Sequence, residues 1–163
     1  LNGRSVDTTM GFTPLEGLLM GTRSGDLDPA VVTYLMEKER LGVKEINAML
    51  NKQSGLLGIS GISNDMREIL KKMKKGNVRA RLTVDIFVYR IKKYIGAYAM
   101  AMGGLDALVL TGGIGENATR IKNEITKGAR SVLGKKVKVL TIPTDEELMI
   151  ARDTFKLIRK ETK

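Results

Sequence analysis

The chain has 163 residues, 42% hydrophobic and 28% charged, with 28 Lys and Arg against 18 Asp and Glu for a formal net charge of +10. It contains no Cys and no His, which excludes a disulfide framework, thiolate chemistry and imidazole as base or metal ligand. Carboxylates, arginines, lysines, hydroxyls and backbone amides remain, an inventory suited to hard cations and phosphate oxygens.

Taken in chain order, Asn2-Gly3 followed by RSVDTT predicts a turn and a short strand. Asp28-Pro29 opens a helix, with aspartate at the cap and proline at the first helical position; it is expected to run through AVVTYLMEKERLG to Gly42. VKEINAMLNKQ predicts a second helix, and SGLLGISGISN a strand and loop punctuated by glycine. Asn64 or Asp65 caps MREILKKMKKG, whose Met66, Ile69, Leu70 and Met73 share one face. The longest helix is predicted over about 79–102. Its Leu82, Ile86, Tyr89, Ile91, Ile95 and Tyr98 are apolar all round, which predicts deep packing up to Gly103-Gly104. LDALVLT is a short buried strand, GGIGEN a loop, ATRIKNEITKGAR an amphipathic helix and KVKVLTIP an alternating strand. TDEELMIARDTFKLIRKE closes the chain as a helix, Thr144 and Glu147 forming a capping box. Strands separated by helices predict an α/β fold.

The charge is uneven: residues 1–60 hold 6 basic and 7 acidic side chains, residues 61–163 hold 22 and 11. The basic clusters at 71–75, 79–81 and 135–138 alternate with helical apolar positions, and no nucleic-acid motif accompanies them. They predict solvated helix faces that attract anions generally, with no nucleic-acid partner. No apolar run approaches the length of a membrane span and no signal peptide is visible, so a cytoplasmic protein without a membrane partner is expected.

Four stretches carry candidate chemistry. A strand running into Gly112-Gly113-Ile114-Gly115 frees backbone N–H groups for an anion, and a helix after Asn117 adds its positive end; a tight turn without ligand is the alternative. There is no Walker loop and no dinucleotide fingerprint. Asp145, Glu146 and Glu147 in a first helical turn suit either the helix dipole or Mg²⁺. Arg23, in MGTRSGDLDP, suits either a phosphoryl clamp or a salt bridge to Asp26 or Asp28. Asp65 and Arg67 suit a cap and a surface ion pair, or a ligand.

Together, VDTTMGFTPLEGLLMGTRSGDLDP, GISNDMRE, YRIKKYIGAYAMAMGGLDALVLTGGIGEN and VKVLTIPTDEELMIARDT resemble, in order, the signatures of the acetate kinase family. The resemblance spans essentially the whole chain. It implies a carboxyl-terminal ribonuclease-H-like (actin-like ATPase) domain of the acetate and sugar kinase/Hsp70/actin superfamily over residues 1–163. It also implies reversible transfer of phosphate from ATP to acetate, giving ADP and acetyl phosphate, and a homodimer. By the same resemblance, Arg23 would stabilise the transferring phosphoryl group, and Phe12 and Pro14 would border the acetate. Asp65, Met66 and Arg67 would contact the adenosine side, while Gly113, Ile114, Gly115, Glu116 and Asn117 would wrap the phosphates and ribose. Glu146, or its neighbour Glu147, would hold Mg²⁺, with Mn²⁺ as the other metal.

Relatives are expected to be more than twice as long. An amino-terminal domain with an Asn/Ser/Lys cluster, an arginine and a catalytic aspartate is absent from this sequence, as is a histidine-bearing phosphate turn expected just before Leu1. A second, internal gap is expected near SVLGKKVKV. A truncated chain is therefore expected to be inactive alone. Propionate kinase, and a non-catalytic nucleotide-binding or dimerisation fragment, are the competing readings.

Overall fold

The computed structural model describes residues 1–134 and 136–161; Lys135, within the basic run at 135–138 and the expected gap, lies outside them. The fold is mixed α/β. Helices α1 (Pro29–Lys38), α2 (Val43–Lys52), α3 (Gly55–Ser60), α4 (Met66–Lys74) and α5 (Val78–Met102) precede strand β1 (Ala107–Leu110). Helices α6 (Gly112–Asn117) and α7 (Thr119–Leu133) then lead to β2 (Lys138–Thr141) and α8 (Glu146–Glu161). The strands pair in parallel, Ala107 opposite Lys138 and Leu110 opposite Thr141, so that α6 and α7 form the crossover that a parallel pair requires.

α5 is the spine, with α3, α4 and α7 packed along it. Leu56, Met66, Ile69, Val84, Phe87, Val88, Ile121 and Ile125 meet in one core. The periodic apolar positions of α4 fall as the sequence predicts, Met66, Ile69 and Met73 buried and the lysines outside. α5 departs from its prediction. Ala80, Thr83, Val84, Phe87, Val88 and Ala99 face inward, whereas Leu82 and Tyr89 are 50% and 62% exposed. A 25-residue helix flanked on one side by α3, α4 and α7 has an outer face that nothing in the described residues covers. Gly103, in the left-handed region at φ 74°, ends it as expected.

Several other expectations change. Residues 4–9 form no strand: no strand among the described residues offers them a ladder. The first helix stops at Lys38, short of Gly42, because the chain turns through Arg40 at φ +54°. Gly42 instead opens α2, its N–H held by the Glu45 carboxylate at 2.5 Å. The apolar run GLLGIS is helix α3 rather than strand. The Leu56 and Leu57 amides, both orphan donors in its first turn, bond the Met20 and Gly21 carbonyls at 2.9 Å, and Leu56 enters the core. GGIGEN is a short helix rather than a loop: Gly112, at φ +71°, turns the chain off β1 directly into it. β1 is half-buried. The α8 cap is Asp145, whose carboxylate accepts the Leu148 N–H at 3.1 Å, while the Thr144 N–H donates to Glu116 at 3.2 Å. Positions 146–159 of α8 are all exposed.

Candidate functional site

Two clefts lie side by side, and Arg23, Asp65, Met66, Arg67, Gly113, Ile114 and Asn117 of the predicted site residues divide between them. The larger, about 880 Å³, opens beyond the carboxyl end of β1, where ligands collect in α/β folds. Gly113, Ile114 and Asn117 of α6 form one wall, with Ala118 beyond them; Asp65, Met66, Arg67 and Leu70 of α4 form the other. Residues 43 or more positions apart in sequence thus face each other across one space. Gly115 and Glu116 are turned from the cleft lining. The backbone of Gly115 packs on Leu110, where an added Cβ would sit 3.2 Å from the Leu110 carbonyl carbon.

Asp65 has two tasks at the head of α4. Its carboxylate accepts the Arg67 backbone N–H at 2.8 Å as the helix cap, and pairs with the Arg67 guanidinium at 2.6 Å. These bonds to Arg67 hold the Asp65 carboxyl below its ordinary pKa and push Arg67 up. The exposed pair stands on the cleft lining and leaves Arg67 donors over for a polar or anionic ligand. Both bland and functional readings of this pair are therefore compatible with the geometry, because the cap itself forms the cleft wall.

The second cleft, about 730 Å³, holds Arg23 among Thr13, Leu15, Met20, Asn47, Asn51 and Lys52. The loop carrying Arg23 is tied down by backbone: Ser54 N–H to the Thr22 carbonyl at 2.9 Å, Ser24 N–H to Leu50 at 3.0 Å, and Thr22 Oγ1 to the Asn51 carbonyl at 2.9 Å. The salt bridge that would have explained Arg23 does not form. Asp26 pairs with Arg90 and Asp28 caps α1 through the Ala30 N–H; among the described residues the Arg23 guanidinium reaches only the Met20 sulfur, at 3.6 Å. Among the described residues Arg23 has no carboxylate partner, so its charge is available to an anion.

Phe12 and Pro14 are exposed and outside the cleft lining, which takes Thr13 and Leu15 from the same segment instead. Glu146 begins α8 in solvent, and no partner of its carboxylate is present among the described residues. No group of three or more acidic side chains that could cage a metal occurs among the described residues. The Glu116–Thr144 bond does bring the end of α6 to the approach of α8. Sequence reading missed Asn47, Asn51 and Lys52. The spacing of the two asparagines was legible, since Asn51 Nδ2 bonds Asn47 Oδ1 at 2.9 Å one turn away, but nothing in it pointed to Arg23.

The fold and clefts define an α/β protein with an anion-compatible space at the end of a parallel strand and an uncommitted arginine beside it. The profile of the acetokinase family matches residues 1–135, and the chain belongs to that family. It is 51% identical over 180 positions to the acetate kinase of Caldicellulosiruptor bescii, covering 97% of this chain and 45% of that protein. Since this chain has 163 residues, at least 17 of those positions have no counterpart in it. The crystal structure of Porphyromonas gingivalis acetate kinase is 46% identical with a TM-score of 0.91, over 96% of this chain and 45% of that one. A propionate kinase structure from Francisella tularensis is 43% identical with a TM-score of 0.86, over 93% and 44%. The chain thus spans less than half the length of the curated relatives it matches.

Proposed function

We propose that this chain is the nucleotide-binding, carboxyl-terminal half of an ATP:acetate phosphotransferase, with ribonuclease-H-like architecture. The observation that carries the reading is the 880 Å³ cleft in which Gly113, Ile114 and Asn117 face Asp65, Met66 and Arg67. Arg23, without a carboxylate partner, lies in the cleft beside it. In the reaction an acetate oxygen attacks the terminal phosphorus of ATP, a P–O bond forms to acetate, and the bond to the ADP oxygen breaks. Acetate is already an anion, so no general base is needed; positioning and neutralisation of charge carry the rate. Arg23 supplies a positive charge for the equatorial phosphoryl oxygens. The α6 turn and the α4 head hold the nucleotide.

Mg²⁺ suits this chemistry, since it takes one or two carboxylates and completes its shell with phosphate and water. The free carboxylate of Glu146 fits that need, and Mn²⁺ fits the same donors. When bound, the ion would neutralise phosphate charge. Phe12 and Pro14 remain the candidates for the acyl side of the pocket, on the segment that sends Thr13 and Leu15 into the Arg23 cleft. The exposed Leu82 and Tyr89 on α5 give a homodimer an apolar face to use. No helix among the described residues is long and apolar enough to cross a membrane; a cytoplasmic setting accords with the kinase reading.

Calorimetric titration with MgADP and MgATP tests the proposal. Saturable one-to-one binding that Arg67→Ala weakens about tenfold supports it; absence of saturable binding at millimolar nucleotide overturns it. Turnover is a separate question, because the resemblance assigns the catalytic aspartate to a segment outside this sequence. Acetyl phosphate formed from ATP and acetate, and lost in Arg23→Ala, would show that the chain acts unaided. The structural likeness to a propionate kinase makes propionate the competing acceptor in that assay.

A further inference from the structure

Among the described residues, Asn64 alone lines both clefts. It stands where the Arg23 loop meets the head of α4, and the two are in close contact: a Cβ placed on Gly21 would lie 3.2 Å from the Asn64 carbonyl oxygen and 3.3 Å from its Cβ. The backbone on either side is held firmly. The buried Ser60 hydroxyl accepts the Ile62 and Ser63 N–H groups at 3.1 and 3.3 Å, and Ser63 Oγ accepts the Asp65 N–H at 3.1 Å. Asparagine next to a helix start ordinarily spends its side chain on the cap. Here Asp65 takes that role through the Arg67 N–H. The Asn64 carboxamide is left exposed, with no hydrogen-bond partner among the described residues. A held backbone carrying a free donor, at the point where two anion-compatible clefts join, offers a contact to a ligand rather than to the fold.

We propose that Asn64 orients the terminal phosphate of the bound nucleotide, its carboxamide N–H donating to a phosphate oxygen as the phosphate chain passes from the α6 cleft toward Arg23. This rests on the nucleotide reading of the larger cleft. An uncharged donor suits the position: it bonds the phosphate oxygen without adding a cation that would compete with Arg23. Asn64 is thus a specificity-determining residue for triphosphate over monophosphate.

The test is calorimetric titration of the 163-residue chain, and of its Asn64→Asp and Asn64→Ala variants, with ATP, ADP and AMP in Mg²⁺. Asn64→Asp replaces the donor by a negative oxygen of the same shape and is expected to weaken ATP about tenfold or more, from the lost charge-assisted bond and the new repulsion. Asn64→Ala is expected to weaken ATP about threefold to tenfold. AMP affinity should stay within about twofold in both variants, and their melting temperatures should match the unaltered chain because the side chain is exposed and unpaired. Equal losses for ATP and AMP, or no loss for ATP in either variant, would overturn the assignment. So would a loss for ADP as large as that for ATP, which would place the contact on the inner phosphates. If the unaltered chain binds no nucleotide at all, the underlying reading fails and this inference falls with it; if it binds nucleotide and only the ATP selectivity is unmoved, this inference alone fails.

Discussion

The phenol of Tyr94 donates a hydrogen bond to the carboxylate of Asp26, 68 positions earlier in the chain. The same carboxylate accepts the Gly17 N–H at 2.9 Å and lies 3.6 Å from the Arg90 guanidinium, which also donates to the Asp26 carbonyl at 3.0 Å. Asp26 therefore closes the loop of residues 17–26 and fastens it to α5. That loop carries Arg23, so the site's free arginine depends on an anchor formed by its neighbour. Tyr94→Phe should lower unfolding free energy by about 1 kcal/mol, the usual net value of one hydrogen bond, as read from urea denaturation. An unchanged midpoint would mean that the anchor is redundant.

The Tyr94 phenol is pushed up to about 12, chiefly by burial, then by its bond to Asp26 and the charge of that carboxylate. A raised folded value means that this group stabilises the fold below the ordinary tyrosine value of 10.0, and that the contribution is lost as pH rises through about 12. Ultraviolet titration should show a phenolate component near pH 12 that Tyr94→Phe removes. Persistence of that component in the variant would assign it elsewhere.

Asp65 has the opposite sign. Its carboxyl is held below its ordinary value of 3.8, first by the side-chain bond to Arg67 and then by the Arg67 backbone N–H. The stabilisation is present above pH 3.8 and is lost as pH falls through the lower folded value. Melting curves at descending pH should show Asp65→Ala starting lower at neutral pH and converging with the unaltered chain in acid. Parallel curves across the whole range would remove Asp65 from the acid response.

Gly55 begins α3 at φ +60°, and a Cβ there would lie 2.2 Å from the Met20 carbonyl and 2.6 Å from that of Arg23. Gly55→Ala must move either α3 or the Arg23 loop, since both obstacles are backbone. A loss of at least about 2 kcal/mol is expected, combining the strained dihedral with the clash. A variant that melts with the unaltered chain would show that the loop gives way freely.

Leu56, 1% exposed, sits in the core one residue further along. Leu56→Ala should cost about 2–5 kcal/mol, the range for removing a buried leucine side chain. A smaller loss in denaturant would mean that α3 settles into the cavity.

The elements with strong local signals were legible in advance. Asp28-Pro29 opened α1, a cap at Asn64 or Asp65 opened α4, Gly103 ended α5, and the periodic face of α4 gave its inward residues, because caps and periodicity act within one or two turns. GLLGIS and GGIGEN were not legible as helices. Each is a short apolar or glycine-rich run whose local preferences are nearly balanced, and α3 forms because its first amides find the Met20 and Gly21 carbonyls. The outward face of α5 was equally hidden, since apolar residues all round a helix do not say which neighbours arrive. The sequence by itself determined which side chains are available for chemistry and where most helices start. Only the tertiary structure decided that Asp26 would go to Arg90 and Tyr94, leaving Arg23 free, and that Asp65 would face Gly113 across a cleft with Asn64 at its border. Those outcomes depend on contacts between residues tens of positions apart, where competition for a single partner is settled by packing rather than by local preference.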